Sequence, residues 1–253
     1  MRDLFDITEK KAVVTGGAAG LGRGIAEALA EFGARVVVVD NSARLDAAAA
    51  EMRERGLPVS GLRADLSDTE RLESVFKAAL EPLDGALDIL VNCAGIQRRH
   101  KCDEFPLSDW NDVLTVNLTS VFRLCQLAGR IMLRRGSGKI INISSMLAFF
   151  GGFTVPAYAA SKGGVSQLTK ALSNEWAGRG VNVNAIAPGY MDTALNVNIV
   201  SDPERSAEIL GRIPAGRWGT PEDLKGVAVF LASAASDYLS GAVIPVDGGY
   251  LGK

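Results

Sequence analysis

The 253-residue sequence has one histidine, His100. A metal centre built on several imidazoles is therefore excluded, and a Ser-His-Asp triad would have to use His100 itself. No metal is expected. Standing in a polar run, His100 reads as an exposed loop residue. Cysteine is scarce too: Cys93, Cys102 and Cys125 are an odd set without metal-ligand spacing. They suit a reduced, intracellular protein in which thiols act as small core residues. No run approaches the ~18 apolar residues of a membrane span. The opening MRDLFDITEKK carries no apolar stretch of signal-peptide length. No long basic run occurs and the net charge is −2, so neither nucleic acid nor a membrane is an expected partner. The cytoplasm is the expected location. Ser/Gly linkers and low-complexity segments are missing, so residues 1–253 are expected to form one domain.

What the sequence does have is 47% hydrophobic residues in a regular alternation. Short apolar runs at 12–15, 36–40, 59–64, 89–92, 139–143, 181–186 and 243–246 read as strands, and helical patterns separate them. Such alternation predicts a doubly wound α/β (Rossmann-type) domain, with a parallel sheet of about seven strands covered by helices on both faces. Ligands of such sheets bind at the carboxyl ends of the strands, so the polar residues just after each strand are the ones to examine.

The most informative stretch follows the first strand, KAVVTGGAAGLGRG at 11–24. Gly16, Gly20 and Gly22, with Leu21 between the last two, make a tight strand-to-helix turn. Glycine lets the chain take positive φ and lets a ligand approach bare backbone, and the helix that opens there aims free N–H groups at a phosphate. The second run, RVVVVD, ends in Asp40 with Asn41 behind it, about 20 residues past the glycines. A dinucleotide fold places there the carboxylate that accepts hydrogen bonds from a ribose, and an acid in that position repels the extra phosphate of NADP. NAD is the expected cofactor.

After the third strand, Asp65-Leu66 has two readings: a helix N-cap, with the helix starting near Asp68 and Ser67 able to cap, or an acid facing an adenine amino group. After the fourth, Asn92, Ala94 and Gly95 leave backbone open for a flat ring or a ribose. The patch Gln97-Arg98-Arg99-His100-Lys101 follows on the ligand side of the sheet, which makes Arg98 and Arg99 substrate candidates. Residues 109–135 read as one long apolar helix with Asn117 inside it. An amide there competes for backbone hydrogen bonds and needs a partner or a job.

Ser144-Ser145 ends the fifth strand, and a helix starting near Ala157 carries Tyr158 and Lys162, four apart and therefore on one face. A tyrosine with a pKa near ~10 is a poor acid or base at neutral pH. A neighbouring ammonium is expected to lower that pKa, while a serine hydroxyl holds the carbonyl oxygen that exchanges a proton with the tyrosine.

Taken together, Thr15-Gly16-x-x-x-Gly20-x-Gly22, Asp65, Asn92-x-Ala94-Gly95, Asn117, Ser144, Tyr158-x-x-x-Lys162 and Pro188-Gly189 resemble the short-chain dehydrogenase/reductase family over nearly the whole chain. The resemblance implies that Tyr158 is the general acid/base. It implies that Ser144, at the usual offset of 14 residues before the tyrosine, orients the substrate, with Ser145 as the fallback. Lys162 would bind ribose and lower the tyrosine pKa, and Asn117 would hold a relay water. The segment around Pro188, Gly189 and Met191 would lie beside the nicotinamide, with Thr193 near the cofactor amide. The resemblance also implies a homotetramer, with Asp247-Gly248-Gly249 near an interface. Residues 191–214 are expected to form a mobile substrate cover.

Gly95–Arg99, Ser145–Leu147, Asn174–Trp176, Ser206–Leu210 and Arg212–Gly219 further resemble the 2-keto-3-deoxygluconate, 2-deoxygluconate and gluconate dehydrogenases. That likeness implies a carboxylate-bearing polyol as substrate, which an arginine can grip through two parallel hydrogen bonds. The rival readings are an NADPH-dependent carbonyl reductase of oxoacyl or small ketone substrates, which Asp40 opposes, and a catalytically silent nucleotide-binding regulator. The second is opposed by the presence of serine, tyrosine and lysine together.

Overall fold

A computed structural model describes residues 4–193 and 196–253. In chain order the main elements are β1 (Lys11–Thr15), α1 (Gly20–Glu31), β2 (Arg35–Asp40), α2 (Leu45–Glu54), β3 (Val59–Arg63), α3 (Leu72–Leu80), β4 (Ile89–Asn92), α4 (Leu107–Leu114), α5 (Ser120–Arg135), β5 (Gly138–Ile143), α6 (Pro156–Trp176), β6 (Val181–Pro188), α7 (Val197–Val200), α8 (Pro203–Leu210), α9 (Glu222–Ala232) and β7 (Val243–Val246). The strands form one seven-stranded sheet in the order β3-β2-β1-β4-β5-β6-β7, and every pairing is parallel. The chain reverses direction across the sheet between β1 and β4. In such sheets a crevice opens at that reversal, outside the carboxyl ends of the strands.

The valine run shows why the sheet is buried on both sides. Successive side chains on a strand point to opposite faces. Val36 and Val38 therefore join Ile25, Leu29, Leu224 and Ala228 under α1 and α9. Val37 and Val39 join Phe76, Leu124, Val165 and Leu172 under α3, α5 and α6. A third, smaller cluster lies beyond the strand ends, where Met146, Ile209, Ile213 and Tyr250 pack together.

Two helices depart from the expected pattern. The run expected as one regular helix over 109–135 starts at Leu107 and is broken in its middle. Residues Thr115–Thr119 form a π-helical turn between α4 and α5, and Asn117 sits in it, fully buried. The helix expected near Asp68 begins at Leu72 instead. Short side chains hold the turn before it. The Asp65 carboxylate accepts from the Ser67 N–H at 2.9 Å, and Asp68 accepts from the Arg71 N–H at 3.3 Å. Neither Asp65 nor Ser67 caps α3, whose N-cap is Arg71 with no side-chain cap, and these bonds offer the backbone an alternative to helix.

The stretch 191–214 holds α7 and α8 and leaves the framework at a narrow base. There Met191 bridges Gly219, with the Gly219 N–H on the Tyr190 carbonyl at 2.9 Å and the Asp192 N–H on the Gly219 carbonyl at 2.8 Å. Residues 194 and 195 of this expected cover lie outside the described residues. No described helix is long and apolar enough to cross a membrane. Among the described residues, no group of three His, Cys, Asp or Glu residues could hold a metal ion.

Candidate active site

A cavity of about 370 Å³ opens at the carboxyl ends of β1, β2 and β4. The glycine turn forms its floor. A Cβ on Gly22 would stand 2.2 Å from the Gly16 carbonyl oxygen, so only glycine fits there. Gly20 has φ +55°, and a Cβ on it would meet nothing nearer than Thr193 at 3.8 Å. Added side chains at these two positions would respectively break the turn and intrude on the cavity. The α1 N-terminus that faces this space has Ala19 at its N-cap, no side-chain cap and no acid in its first turn. Its free N–H groups can therefore take an anion such as a phosphate.

Of the residues expected to hold a cofactor, Gly16, Gly20, Leu21, Gly22, Asp40, Asn41, Asp65, Leu66, Ala94, Gly95, Tyr158, Lys162 and Thr193 all line this cavity. Asp40 is held rigidly: its two carboxylate oxygens accept from the N–H groups of Ala18 at 3.0 Å and Ser42 at 2.9 Å. Thr15 fixes the opposite wall, its Oγ1 accepting from the N–H groups of Cys93 and Ala94, both at 3.1 Å. Cys93, Ile96, Val116 and Ile143 also line the space, although nothing in the sequence singled them out. They are wall residues adjoining the motif positions, and their apolar character alone carries no signal.

Four expected cofactor residues lie elsewhere. Asn92 points into the sheet, where its Nδ2 donates to Asn142 Oδ1 at 2.9 Å and to Cys125 Sγ at 3.3 Å. Asn92 and Asn142 are register partners on β4 and β5, so one face carries both amides, and it is the buried one. Pro188 is the buried last residue of β6 and lines no described cavity. Gly189 faces a second cavity, and Met191 a third, small one of about 190 Å³ behind the strand ends.

The second cavity, of about 320 Å³, shares Tyr158 with the first. Ser145 lines it, its Oγ accepting from the Leu147 N–H at 3.1 Å, and its hydroxyl is close enough to the Tyr158 side chain to draw the phenol pKa down. Ser144 does not line it. Its Oγ turns inward to Ser166 Oγ at 2.7 Å and donates to the Lys162 carbonyl at 3.0 Å. This corrects the expectation drawn from the 14-residue offset: Ser144 continues the ladder through its N–H to the Ile186 carbonyl, and the next residue faces the other way.

Burial governs the tyrosine and lysine. The Lys162 ammonium donates to the Ile143 carbonyl at 2.7 Å and lies 5.6 Å from the centre of the Tyr158 ring. Desolvation pulls the lysine pKa down to about 8 and pushes the tyrosine up to about 12, against the lowering effect of the Ser145 hydroxyl. A tyrosine pKa lowered by the lysine was expected. In the chain by itself desolvation dominates, so Tyr158 is a neutral phenol, able to donate a proton to a carbonyl oxygen. The Asn117 amide is engaged by protein: Oδ1 accepts from the Ile96 N–H at 2.8 Å, and Nδ2 donates to the Ile96 carbonyl at 2.9 Å and to Ser161 Oγ at 3.2 Å. These bonds clamp the strand-end segment Gly95–Ile96 along the cavity wall.

The two candidate arginines part company. Arg99 lines the second cavity. Arg98 turns to α4, where Asp109 and Asp112 each lie 4.0 Å from its guanidinium, and it lines neither large cavity. His100 is a loop residue, as expected, with its side chain 38% exposed, and it has partners. Its Nε2 lies 2.6 Å from the Asp109 carboxylate and its ring meets Phe105 edge-on. The sequence reading missed Arg205 and Arg212, which line the second cavity from the far side. The available signal was their place between β6 and α9, in a segment that has to pass over the strand ends.

A parallel sheet with its cavity at the direction reversal, and a Tyr-x-x-x-Lys pair at the edge of that cavity, define an oxidoreductase of the short-chain type. The chain belongs to the short-chain dehydrogenase/reductase family: a family model described as enoyl-(acyl carrier protein) reductase matches residues 16–251. Among its relatives, 2-dehydro-3-deoxy-D-gluconate 5-dehydrogenase of Bacillus subtilis is 48% identical, over 100% of this chain and 99% of its own. The 5-keto-D-gluconate 5-reductase of Escherichia coli is 42% identical over 99% of both. The crystal structure of a gluconate 5-dehydrogenase from Burkholderia cenocepacia, in complex with NADP and tartrate, superposes with a TM-score of 0.94 at 40% identity, covering 99% of this chain and 98% of that one.

Proposed function

We propose that this chain interconverts a secondary hydroxyl and a ketone on an open-chain sugar acid, with NAD as cofactor. The observation that carries the reading is Tyr158, which stands in the wall common to a cavity with a phosphate-ready helix terminus and a cavity lined by arginines. The free N–H groups of α1 would hold the pyrophosphate, Asp40 a ribose, and Gly95 with Lys162 the second ribose. The nicotinamide, when bound, supplies the hydride chemistry. Tyr158 exchanges the proton with the substrate oxygen, and Ser145 holds that oxygen. The names of the three relatives given above, each a sugar-acid enzyme, and the tartrate bound by one of them support an acidic substrate.

The test is NADH formation across a panel of aldonates, deoxyaldonates and uncharged secondary alcohols. Turnover confined to the uncharged alcohols would overturn the sugar-acid reading.

NAD is preferred here on the strength of Asp40, although the Burkholderia structure carries NADP. A carboxylate pinned by two backbone N–H groups cannot swing away from a 2′-phosphate. Wild-type kcat/KM is expected to favour NAD, and Asp40→Ala with Asn41→Arg should shift the ratio towards NADP by about tenfold or more, the equivalent of ~1.4 kcal/mol. Kinetics with both cofactors decide it, and a wild type that already prefers NADP removes the reading of Asp40. A cytoplasmic homotetramer completes the proposal. The half-buried edge strand β7 and the exposed Phe122 on α5 are faces available for assembly.

A further inference from the structure

The arginines of the second cavity are not equivalent. Arg205 spends its guanidinium on Glu208, one turn along α8. Arg99 is exposed, and its Nη2 bonds the side chain of its near neighbour Gln97 at 3.3 Å. Arg212 has no ion-pair partner among the described residues, yet it is held in place. Its guanidinium carbon lies 4.5 Å from the centre of the Tyr250 ring.

That ring is itself fixed. Tyr250 is buried, stacks on Phe150 at 5.7 Å and meets Tyr190 edge-on at 5.4 Å. The carboxylate of Asp247 accepts from the N–H groups of Gly249 and Leu251, both at 2.9 Å. On either side of Arg212, the C-terminal segment is tied to the cover. Lys253 donates to the Gly211 carbonyl at 2.9 Å, and the Ala215 N–H to the Gly248 carbonyl at 3.0 Å.

A guanidinium stacks through its face and binds a carboxylate through its edge. The contact with Tyr250 therefore holds Arg212 without using the N–H groups that two parallel hydrogen bonds require. We propose that Arg212, held over the ring of Tyr250, takes the substrate carboxylate, so that this anchor sets which carbon of the chain reaches Tyr158. The assignment rests on the sugar-acid reading above and adds to it the residue that determines specificity. Arg212 is a binding residue, and Tyr250 acts through it as a positioning residue. The same contact joins cover to framework, because the anion is held by the cover while its hydroxyl is held by Ser145 and Tyr158.

D-Gluconate and sorbitol differ at C1, carboxylate against hydroxymethyl, and form the matched probe pair. Both are titrated calorimetrically into enzyme with cofactor and assayed kinetically in wild type, Arg212→Ala, Arg205→Ala, Tyr250→Phe and Tyr250→Leu. Loss of a charge-assisted contact is expected to weaken gluconate binding and raise its KM by about ten- to a hundredfold in Arg212→Ala, with kcat changed less than threefold and sorbitol unaffected. Tyr250→Leu should move gluconate KM the same way, Tyr250→Phe should restore it, and Arg205→Ala should do little. Unchanged gluconate binding in Arg212→Ala overturns the assignment, and so does an equal loss on gluconate and sorbitol. A wild type that binds sorbitol as well as gluconate, or neither, overturns the sugar-acid reading itself and the anchor with it. That failure shows in the unmodified enzyme before any variant is compared.

Discussion

Tyr158→Phe is expected to bind NADH as the wild type does and to lose turnover by about 10²–10⁴-fold, the usual worth of a positioned acid or base. The ring remains, so the wall between the two cavities keeps its shape, and only the hydroxyl beside Ser145 is lost. The pH dependence sharpens the test. Burial raises the phenol towards about 12, so in the oxidising direction, where the phenol has to give up its proton first, the wild-type rate should climb as pH rises through the neutral and mildly alkaline range. The residual rate of the variant should not follow that climb. Fluorescence titration of NADH together with kcat across pH checks both parts. A variant with a near wild-type rate, or with the same pH profile, would show that Tyr158 is not the group exchanging the proton.

The second large effect separates two adjacent serines. Ser145→Ala should lower kcat/KM by about 10²–10³-fold, the range for removing a donor that stabilises a developing oxyanion. Ser144→Ala should leave the rate near wild type and lower stability instead, by about 1–3 kcal/mol, because Ser166 Oγ and the Lys162 carbonyl lose a buried partner. Steady-state kinetics and thermal melts on both variants decide it. A reversed pattern, with Ser144 governing rate and Ser145 stability, would restore the assignment made from motif spacing.

That pair shows what the sequence could and could not disclose. The strands were legible almost to the residue, because runs such as RVVVVD are buried on both faces of a parallel sheet and are unmistakable as apolar stretches. The glycine turn, Asp40 and the Tyr-x-x-x-Lys pair were legible for the same reason: their geometry is set within a few residues. Ser144, Asn92 and Arg98 failed in a common way. Ser144 and Asn92 stand at strand ends and Arg98 in the loop after β4, where the motif gives a position along the chain but not the direction in which the side chain emerges. At the end of β5 a shift of one residue reverses the face, so Ser145 reaches the cavity while Ser144 does not. The tyrosine and lysine pKa directions were hidden for a different reason. They depend on how much water the folded chain removes from both groups, and no spacing rule contains that.

The π-helical turn at Thr115–Thr119 carries a consequence for chain length. Such a turn holds one residue more than a regular helix needs over the same rise. Shortening the segment by one would let α4 and α5 run on as a single regular helix with better-formed hydrogen bonds. It would also rotate everything on one side of the cut by about 100°, the angle per residue of a 3.6-residue turn. Asn117 would then leave Ile96, and the wall segment beside Gly95 would lose its clamp. The helix would gain regularity at the cost of the cavity wall. The surplus residue is in this sense a spacer, keeping two straight helices out of step so that an amide between them can reach sideways.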